Sequence, residues 1–195
     1  LILIETVFLY RPDIFRSIEK YSFDKDKNGY CEALTREWGE IADMRLSEKD
    51  ANEKKTMNTH LHILEPYTNL YRVWKDDSLK AQLANLIEVF TEKILNKETN
   101  HLGLFFDEDW NLKSNIVSYG HDIEASWLLH EAALVLGDKD ILSKVVQLVT
   151  AIVDAASEGL CEDGSMIYEK DEDSGHLDKE LHWWVQAEAV VGYIN

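Results

Sequence analysis

Two histidine–glutamate pairs with the same spacing are the first candidates for chemistry in this chain: His62-Ile-Leu-Glu65 and His121-Asp-Ile-Glu124. Each pair stands at the head of a segment with a helical apolar repeat, and residues three apart share one helix face. A carboxylate in that position can hold an imidazole, which titrates near neutral pH, in a fixed orientation. The repetition therefore indicates several helices that direct acid–base groups towards one centre, as in an enzyme.

The apolar periodicity predicts the helices that must position these groups. Four helices in two pairs are predicted over 59–74, 79–95, 123–136 and 141–156, and a fifth begins near His182. Ser78 and Asp140 are the predicted N-caps of the second helix in each pair. Between the pairs, residues 102–111 and 164–169, together with the turn 24–30, carry turn formers around short apolar runs. These segments predict short strands or hairpins.

Helix pairs that repeat about every 60 residues predict an open solenoid or a closed α/α ring. In a closed ring the inner helices converge on one pocket, which would bring His and Trp side chains together. The prediction is therefore an all-α fold with short β-hairpins between helix pairs. Fewer than three full pairs are present, the first residue is not Met, and the last residues still follow a helical pattern. We therefore expect residues 1–195 to be part of a single, longer domain.

Composition limits the classes of partner and compartment. The 195 residues carry a formal charge of −17, from 37 acidic and 20 basic side chains, and 45% are hydrophobic. That charge argues against nucleic acid, and the hydrophobic content argues against disorder. Two cysteines, Cys31 and Cys161, suit a reducing compartment, and neither a signal peptide nor a membrane span is recognisable. A cytoplasmic protein without a membrane partner is expected.

The sequence favours no metal or cofactor. The Asp-x-Asp-x-Asn-Gly pattern at 24–29 copies the start of a calcium loop, but Thr35 stands where such a loop needs glutamate. A tight structural turn is the prediction there. His60 and His62 are two apart, so on a helix they point to nearly opposite sides and cannot share a metal ion. One of them should be a buried structural histidine, and His62, in register with His121, is the functional candidate.

Two further stretches bear on the chemistry. In the first, Gly120 permits close packing at a helix start, and His121 would project from the first turn, where the helix N-terminus disfavours imidazolium. A histidine that only caps the helix is the other interpretation. In the second, Trp183 and Trp184 stand beside Glu188. Paired tryptophans are usually core residues, although an aromatic face beside a carboxylate also suits a sugar ring.

Three segments resemble the cellobiose 2-epimerases, the disaccharide branch of the N-acylglucosamine 2-epimerase superfamily. They are residues 45–62, residues 118–127, and Gly175-His-Leu-Asp178 followed by residues 182–188. The similarity extends from about Tyr21 onward. It implies an (α/α)6 barrel, of which about half is present. It also implies a cofactor-independent inversion of C2 in the reducing-end sugar of a β-1,4-linked disaccharide, by proton transfer through a cis-enediolate.

The resemblance also implies roles for single residues. His121 corresponds to one of two acid–base histidines, Glu124 to the acid that supports it, and His62 to the histidine that stabilises the enediolate. The implied substrate contacts are Asn58, Trp127, Trp183, Trp184 and Glu188, with Ser47 and Asp50 in a loop over the site. The family's other acid–base histidine and its sugar-binding arginine have no counterpart here, so the remainder of the barrel is expected outside this chain.

Three alternatives stay open. The first is an N-acylglucosamine or monosaccharide 2-epimerase, or an aldose–ketose isomerase, of the same superfamily. The second is an inverting glycoside hydrolase on the same barrel, which would use paired carboxylates. The third is a helical scaffold that binds sugar without turning it over.

Overall fold

The structure, a computed structural model, describes the backbone of residues 2–48 and 50–195 and the side chains of residues 12–48 and 50–195. Within that part the chain is mostly helical, with short strands between helices. The helices are α1 (Ile2–Tyr21), α2 (Met57–Val73), α3 (Asp77–Val89), α4 (Tyr119–Leu136), α5 (Lys139–Ala156) and α6 (Trp183–Ile194). The strands are β1 (Lys55–Thr56), β2 (Phe105–Phe106), β3 (Ile116–Ser118), β4 (Glu169–Asp171) and β5 (Leu177–Asp178).

The helices pack as pairs around α4. Helix α2 packs on α3, α4 packs on α5, and α4 also lies against α2 and α6. Helix α4 buries residues on every side, whereas α5 buries a single stripe that includes Val145, Val149 and Ile152. A helix that is apolar all round belongs inside a domain, and one with a single apolar face belongs at its surface. The predicted helix pairs are therefore confirmed, with α2, α4 and α6 as neighbours in the inner layer.

The helix starts differ from the predictions in a consistent way. Helices α2 to α5 begin two to four residues earlier than predicted. The predicted N-caps Ser78 and Asp140 are wrong, because Asp76 and Asp138 cap these helices, each accepting hydrogen bonds from two amides of the first turn. A capped first turn is polar and carries no apolar repeat, so periodicity alone detects a helix too late.

Two helical features were not predicted. Helix α1 precedes the turn 24–30, where no helix was predicted. The predicted helix 79–95 is α3 followed by a π-helical turn, Phe90–Ile94. No helix among the described residues combines the length and the apolar character that a membrane crossing requires.

Two of the strand pairings, β1 with β2 and β3 with β4, join segments that are distant in sequence. Strand β1 pairs antiparallel with β2, and β4 lies between β3 and β5, with Ser118 opposite Glu169. The predicted hairpins are confirmed only in part. β4 and β5 form a short hairpin just beyond 164–169, whereas the other predicted segments close through isolated bridges such as Leu95 with Leu102. Because β1 leads directly into α2 and β3 into α4, these pairings fix the starts of the two helices that carry the histidine–glutamate pairs.

A buried ion pair ties the acidic turn to the start of α2. The Nζ atom of Lys55, 1% exposed, lies 2.8 Å from Asp24 Oδ2 and 2.9 Å from the carbonyl oxygen of Glu108. The other oxygen of Asp24 accepts hydrogen bonds from the amides of Asp26 and Lys27. Burial acts to raise the pKa of Asp24, but the hydrogen bond and charge of Lys55, together with the two backbone hydrogen bonds, outweigh it and lower that pKa. The turn predicted from the sequence is confirmed, and its first carboxylate serves structure.

Of His60 and His62, one was expected to be a buried structural histidine, and His60 is that residue. Its ring is fully buried; Nδ1 donates to the carbonyl oxygen of Thr56 at 2.6 Å, and Nε2 accepts from the amide of Tyr30 at 2.9 Å. A ring nitrogen that accepts a hydrogen bond must be unprotonated, so this pair of contacts requires the neutral ring. Burial lowers the pKa of His60 to about 4, because the cation would lose its hydration.

We expect His60 to make the protein less stable as the pH falls. Its pKa is about 4 when folded and 6.5 when unfolded, so between these values the unfolded state binds the extra proton. The resulting loss, from pH 7 to pH 4, is about 3 kcal/mol of unfolding free energy. His60→Gln should remove that much pH dependence from urea unfolding curves, and the control substitution His130→Gln on α4 should not. An unchanged pH dependence in His60→Gln contradicts the assignment.

Candidate active site

A cavity of about 360 Å³ opens where α2, α4 and α6 begin. It brings together Asn58, His121, Trp184 and Asp50 from the predicted site residues, and Ser47 of the predicted loop. Tyr168, Glu169 and Glu32 also line it. Cavities of this size, with apolar walls and a few polar groups, are typical of small-molecule sites. The predicted convergence of helix starts on one pocket is therefore present in this structure.

His121 lies in the first turn of α4, as predicted, but its partner differs from the predicted one. Its Nδ1 atom lies 2.8 Å from Ser118 Oγ, whereas Glu124 was expected to hold the ring. Side chains on a helix point back towards its N-terminus, so His121 reaches Ser118 at the helix start rather than Glu124 one turn ahead. Its ring also contacts Trp184, with the ring centroids 4.9 Å apart.

The electrostatic surroundings keep His121 neutral. Burial lowers its pKa to about 4, and nearby His62 adds to the effect. At physiological pH the ring therefore has one protonated and one unprotonated nitrogen, as a proton acceptor must. Among the described residues, the bond to Ser118 occupies Nδ1 and leaves Nε2 without a hydrogen-bond partner.

His62 lies next to this cavity rather than in its wall. It is exposed on α2 and, with Glu65, lines a cleft of about 510 Å³ between α1 and α2. Its effect on the pKa of His121 means that the two rings are close in space. The two histidines selected from the sequence thus face one region, from neighbouring helices.

Three carboxyl groups form a second cluster, one from each of α2, α4 and α6. Burial, and then the charges of Glu188 and Glu65, raise the pKa of Glu124 to about 7. Glu188 accepts a hydrogen bond from Trp127 Nε1 at 2.8 Å, which ties α6 to α4. Neighbouring carboxyl groups repel each other when all are ionised, so one of them tends to keep its proton. Glu124 is therefore partly protonated near neutral pH. Glu124 and Glu188 were predicted as site residues, but the charge repulsion between them was not predicted.

Only one of the two adjacent tryptophans is brought to the cavity. Trp184 lines it, whereas Trp183 is 82% exposed. Neighbouring residues on a helix point about 100° apart, so both cannot face the same pocket. The close packing expected at Gly120 is confirmed, since a Cβ there would lie 2.8 Å from atoms of Trp184 and Val185. Gly120 therefore lets the start of α6 press against the start of α4.

Side chains that the sequence did not single out hold one wall of the cavity in place. The amide group of Gln186 on α6 both accepts from the Met166 amide at 2.9 Å and donates to the Met166 carbonyl at 2.8 Å. This anchors the segment before β4 and sets Tyr168 edge-on to Trp184, with ring centroids 6.1 Å apart. Burial raises the pKa of Tyr168 to about 12, so the phenol remains protonated and can donate a hydrogen bond.

A buried His101–Asp122 pair fixes the opposite wall and was also missed. One oxygen of Asp122 lies 2.7 Å from His101 Nδ1, and the other accepts from the Leu102 amide at 2.9 Å. Burial acts to lower the pKa of His101, but the hydrogen bond and charge of Asp122, with a further contribution from Glu158, together outweigh it and raise that pKa. Asp122 adjoins His121, and Leu104 and Phe105 of the same loop line the cavity. The pair therefore connects the first turn of α4 to the cavity wall.

Among the described residues, no three His, Cys, Asp or Glu side chains are grouped so that they could hold a metal ion. The site described above has functional side chains of its own. It contains a neutral imidazole, a phenol, an amide, several carboxylates and an aromatic face. Proton transfer on a bound polyol or sugar is the class of reaction that such a set suits.

Comparison with known proteins shows the family to which the chain is similar. The sequence model of the N-acylglucosamine 2-epimerase (GlcNAc 2-epimerase) family matches residues 13–193. The chain is 69% identical to the cellobiose 2-epimerase of Bacteroides fragilis, covering 96% of this chain and 48% of that protein. Against the cellobiose 2-epimerase of Ruminococcus albus, identity is 40% over 93% of this chain and 46% of that protein.

A solved structure gives the same result for the fold. The cellobiose 2-epimerase of Bacillus thermoamylovorans superposes with a TM-score of 0.91 at 42% identity, covering 98% of this chain and 48% of that one. The chain thus spans about half the length of the relatives it matches, which agrees with the prediction of half an (α/α)6 barrel. With the family match extending over nearly all of its residues, the chain belongs to the N-acylglucosamine 2-epimerase family.

Proposed function

We propose that the complete protein containing this chain is a cofactor-independent epimerase. It inverts C2 of the reducing-end sugar in β-1,4-linked disaccharides such as cellobiose or mannobiose. The observation that carries the proposal is His121, a neutral imidazole with a free Nε2, beside Asn58 and Trp184 in one cavity. The 69% identity to a protein named cellobiose 2-epimerase supports the choice of a disaccharide.

The proposed reaction needs a base and donors that face the same bound sugar. In the open-chain aldose the C1 carbonyl acidifies the proton on C2. As the C2–H bond breaks, the proton goes to Nε2 of His121, and the electron pair forms the C1–C2 double bond of a cis-enediolate. The charge that develops on O1 needs a hydrogen-bond donor, the role we assign to His62. Return of a proton to the opposite face of C2 gives the epimer, and the other acid–base group comes from outside this chain.

The other predicted residues have supporting roles in this proposal. Trp184 offers an aromatic face on which the apolar side of a pyranose ring can stack, and Asn58 and Asp50 offer partners for its hydroxyl groups. Glu124, Trp127 and Glu188 lie deeper along the same helices, where Glu124 is half-buried and partly protonated. We expect this cluster to set the electrostatic potential below the sugar. Contact of Trp183 with the substrate remains a prediction.

One observation favours a second candidate, an inverting glycoside hydrolase. Glu124 has a pKa of about 7 beside Glu188, which is the arrangement of a protonated acid next to a carboxylate. Against it, neither carboxyl group lines the cavity that holds His121 and Trp184. The epimerase accounts for the imidazole in that cavity, and the hydrolase does not.

The products made from cellobiose and mannobiose by the complete protein separate these candidates. After dialysis against EDTA and with no cofactor added, we expect cellobiose to give glucosyl-mannose, detected by NMR of the reducing-end anomeric protons. Free glucose would support the hydrolase instead. Turnover confined to mannose or N-acetylglucosamine would place the protein in the monosaccharide branch. Binding of cellobiose without any turnover would support the third alternative, a non-catalytic scaffold that binds sugar.

A further inference from the structure

Ser118 occupies the N-cap position of α4 without capping the helix. It is fully buried as the last residue of β3, and its side chain makes no hydrogen bond to the amides of the first turn. At the matching position of α2, Thr56 accepts a hydrogen bond from the amide of Thr59. An N-cap hydrogen bond is worth about 1 kcal/mol. The hydroxyl of Ser118 instead lies 2.8 Å from Nδ1 of His121.

The surroundings hold the serine and the imidazole together. Pairing of β3 with β4 sets Ser118 opposite Glu169. The ring of Trp184 packs against that of His121, and the closeness of Trp184 to Gly120 prevents the start of α4 from moving towards α6. The imidazole is therefore fixed by a ring contact and by one hydrogen bond, and its Nε2 atom is the one left for a substrate.

A serine hydroxyl can donate or accept, so the ring could be protonated at either nitrogen. We propose that Ser118 is a positioning residue that accepts a hydrogen bond from Nδ1–H of His121 and so keeps Nε2 unprotonated as the base. The proposal rests on the epimerase function proposed above. It concerns the ring's tautomer, which decides whether Nε2 can take a proton from carbon.

This arrangement suits a base that must accept a proton and give it back. When the C2–H bond breaks, its proton bonds to Nε2 and its electron pair enters the enediolate, while Nδ1–H continues to donate to Ser118. The hydrogen bond is thus the same before and after transfer, and nothing has to reorient. A carboxylate partner would stabilise the imidazolium and hinder release of the proton. The neutral hydroxyl is also consistent with the low pKa of His121.

The tautomer can be measured without any turnover. In the complete protein labelled with 15N-histidine, two-bond 15N–1H correlations at pH 7 distinguish the two neutral forms of a histidine ring. The signals of His121 are identified as those that disappear in the His121→Asn variant. We expect the Nδ1–H form, with an unprotonated Nε2. An Nε2–H form overturns the proposal. Since this result needs no substrate, it is independent of whether the protein epimerises disaccharides.

Activity measurements then test the positioning role. We expect Ser118→Ala to lower kcat for C2 epimerisation by about ten- to a hundredfold with little change in KM, because the ring loses its orientation and its tautomer. Ser118→Thr retains the hydroxyl and should restore most of the rate. The control is Ser126→Ala, a buried serine on the same helix that donates to the carbonyl of Ile123; it should match the parent.

Two results would overturn the role of Ser118. One is a Ser118→Ala variant with the parent's kcat, and the other is an equal loss of kcat in Ser118→Ala and Ser126→Ala. The thermal unfolding curve shows whether Ser118→Ala folds. If it does not, the test is the NMR measurement of the His121 tautomer in the parent and in Ser118→Thr. Both must then be in the Nδ1–H form, and an Nε2–H form in either one contradicts the proposal.

Discussion

Replacing His121 by Asn should lower kcat for C2 epimerisation by about three orders of magnitude in the complete protein. Asn retains polarity and similar size but cannot take up a proton at neutral pH. KM for the disaccharide should change much less, because Trp184 and Asn58 still line the cavity. Steady-state kinetics with cellobiose as substrate, at several pH values, provide the measurement.

A second histidine on the same helix is the matched control for this experiment. His130 lies on α4, nine residues beyond His121, and its Nδ1 atom contacts the side-chain amide of Asn195 at 2.8 Å. His130→Asn should leave kcat within about twofold of the parent, as is usual for substitutions away from a site. Parent-like kcat in His121→Asn would contradict the assigned role, and so would an equal loss in the two variants.

Removing the carboxylate of Asp122 should cause the largest loss of stability. Asp122→Ala leaves the buried ring of His101 and the amide of Leu102 without their partner. Breaking a buried charge pair from one side costs about 3–5 kcal/mol. We expect that loss in the unfolding free energy of the complete protein, measured by urea denaturation at pH 7.

An exposed aspartate provides the comparison for Asp122. Asp13 on α1 forms a surface pair with Arg16 at 3.0 Å, with both side chains 65% exposed. Asp13→Ala should lower the unfolding free energy by less than about 1 kcal/mol, because water already screens the pair. A loss equally small in Asp122→Ala would mean that the buried pair does not hold the loop to α4.

The helical fold could be predicted from the sequence because the apolar repeat reports burial directly. The repeat identified α2 to α5 and the start of α6, but it placed their starts late, because first turns capped by residues such as Asp76 are polar. Helix α1 was missed, although its apolar repeat is about as strong as that of α2. The strand partners were also missed, since Ser118 pairs with Glu169 across most of α4 and α5 and no local pattern records that.

The sequence predicted which residues belong to the site better than it predicted the contacts that they make. The shared spacing of the two histidine–glutamate pairs led to His121, and the resemblance to a family added Asn58 and Trp184. The partner of His121 was predicted incorrectly because a shared helix face does not specify the direction in which a side chain points. Pairs such as His101 with Asp122 depend on loop closure, for which spacing gives no signal.

The central claim is that the reaction moves a proton at C2. Its most direct test is conversion of cellobiose by the complete protein in heavy water, with the product analysed by NMR and mass spectrometry. We expect glucosyl-mannose that carries deuterium at C2 of its reducing-end sugar, with no label at the other carbons. Epimer formed with ordinary hydrogen at C2 throughout would contradict proton transfer through an enediolate, and with it the role of His121.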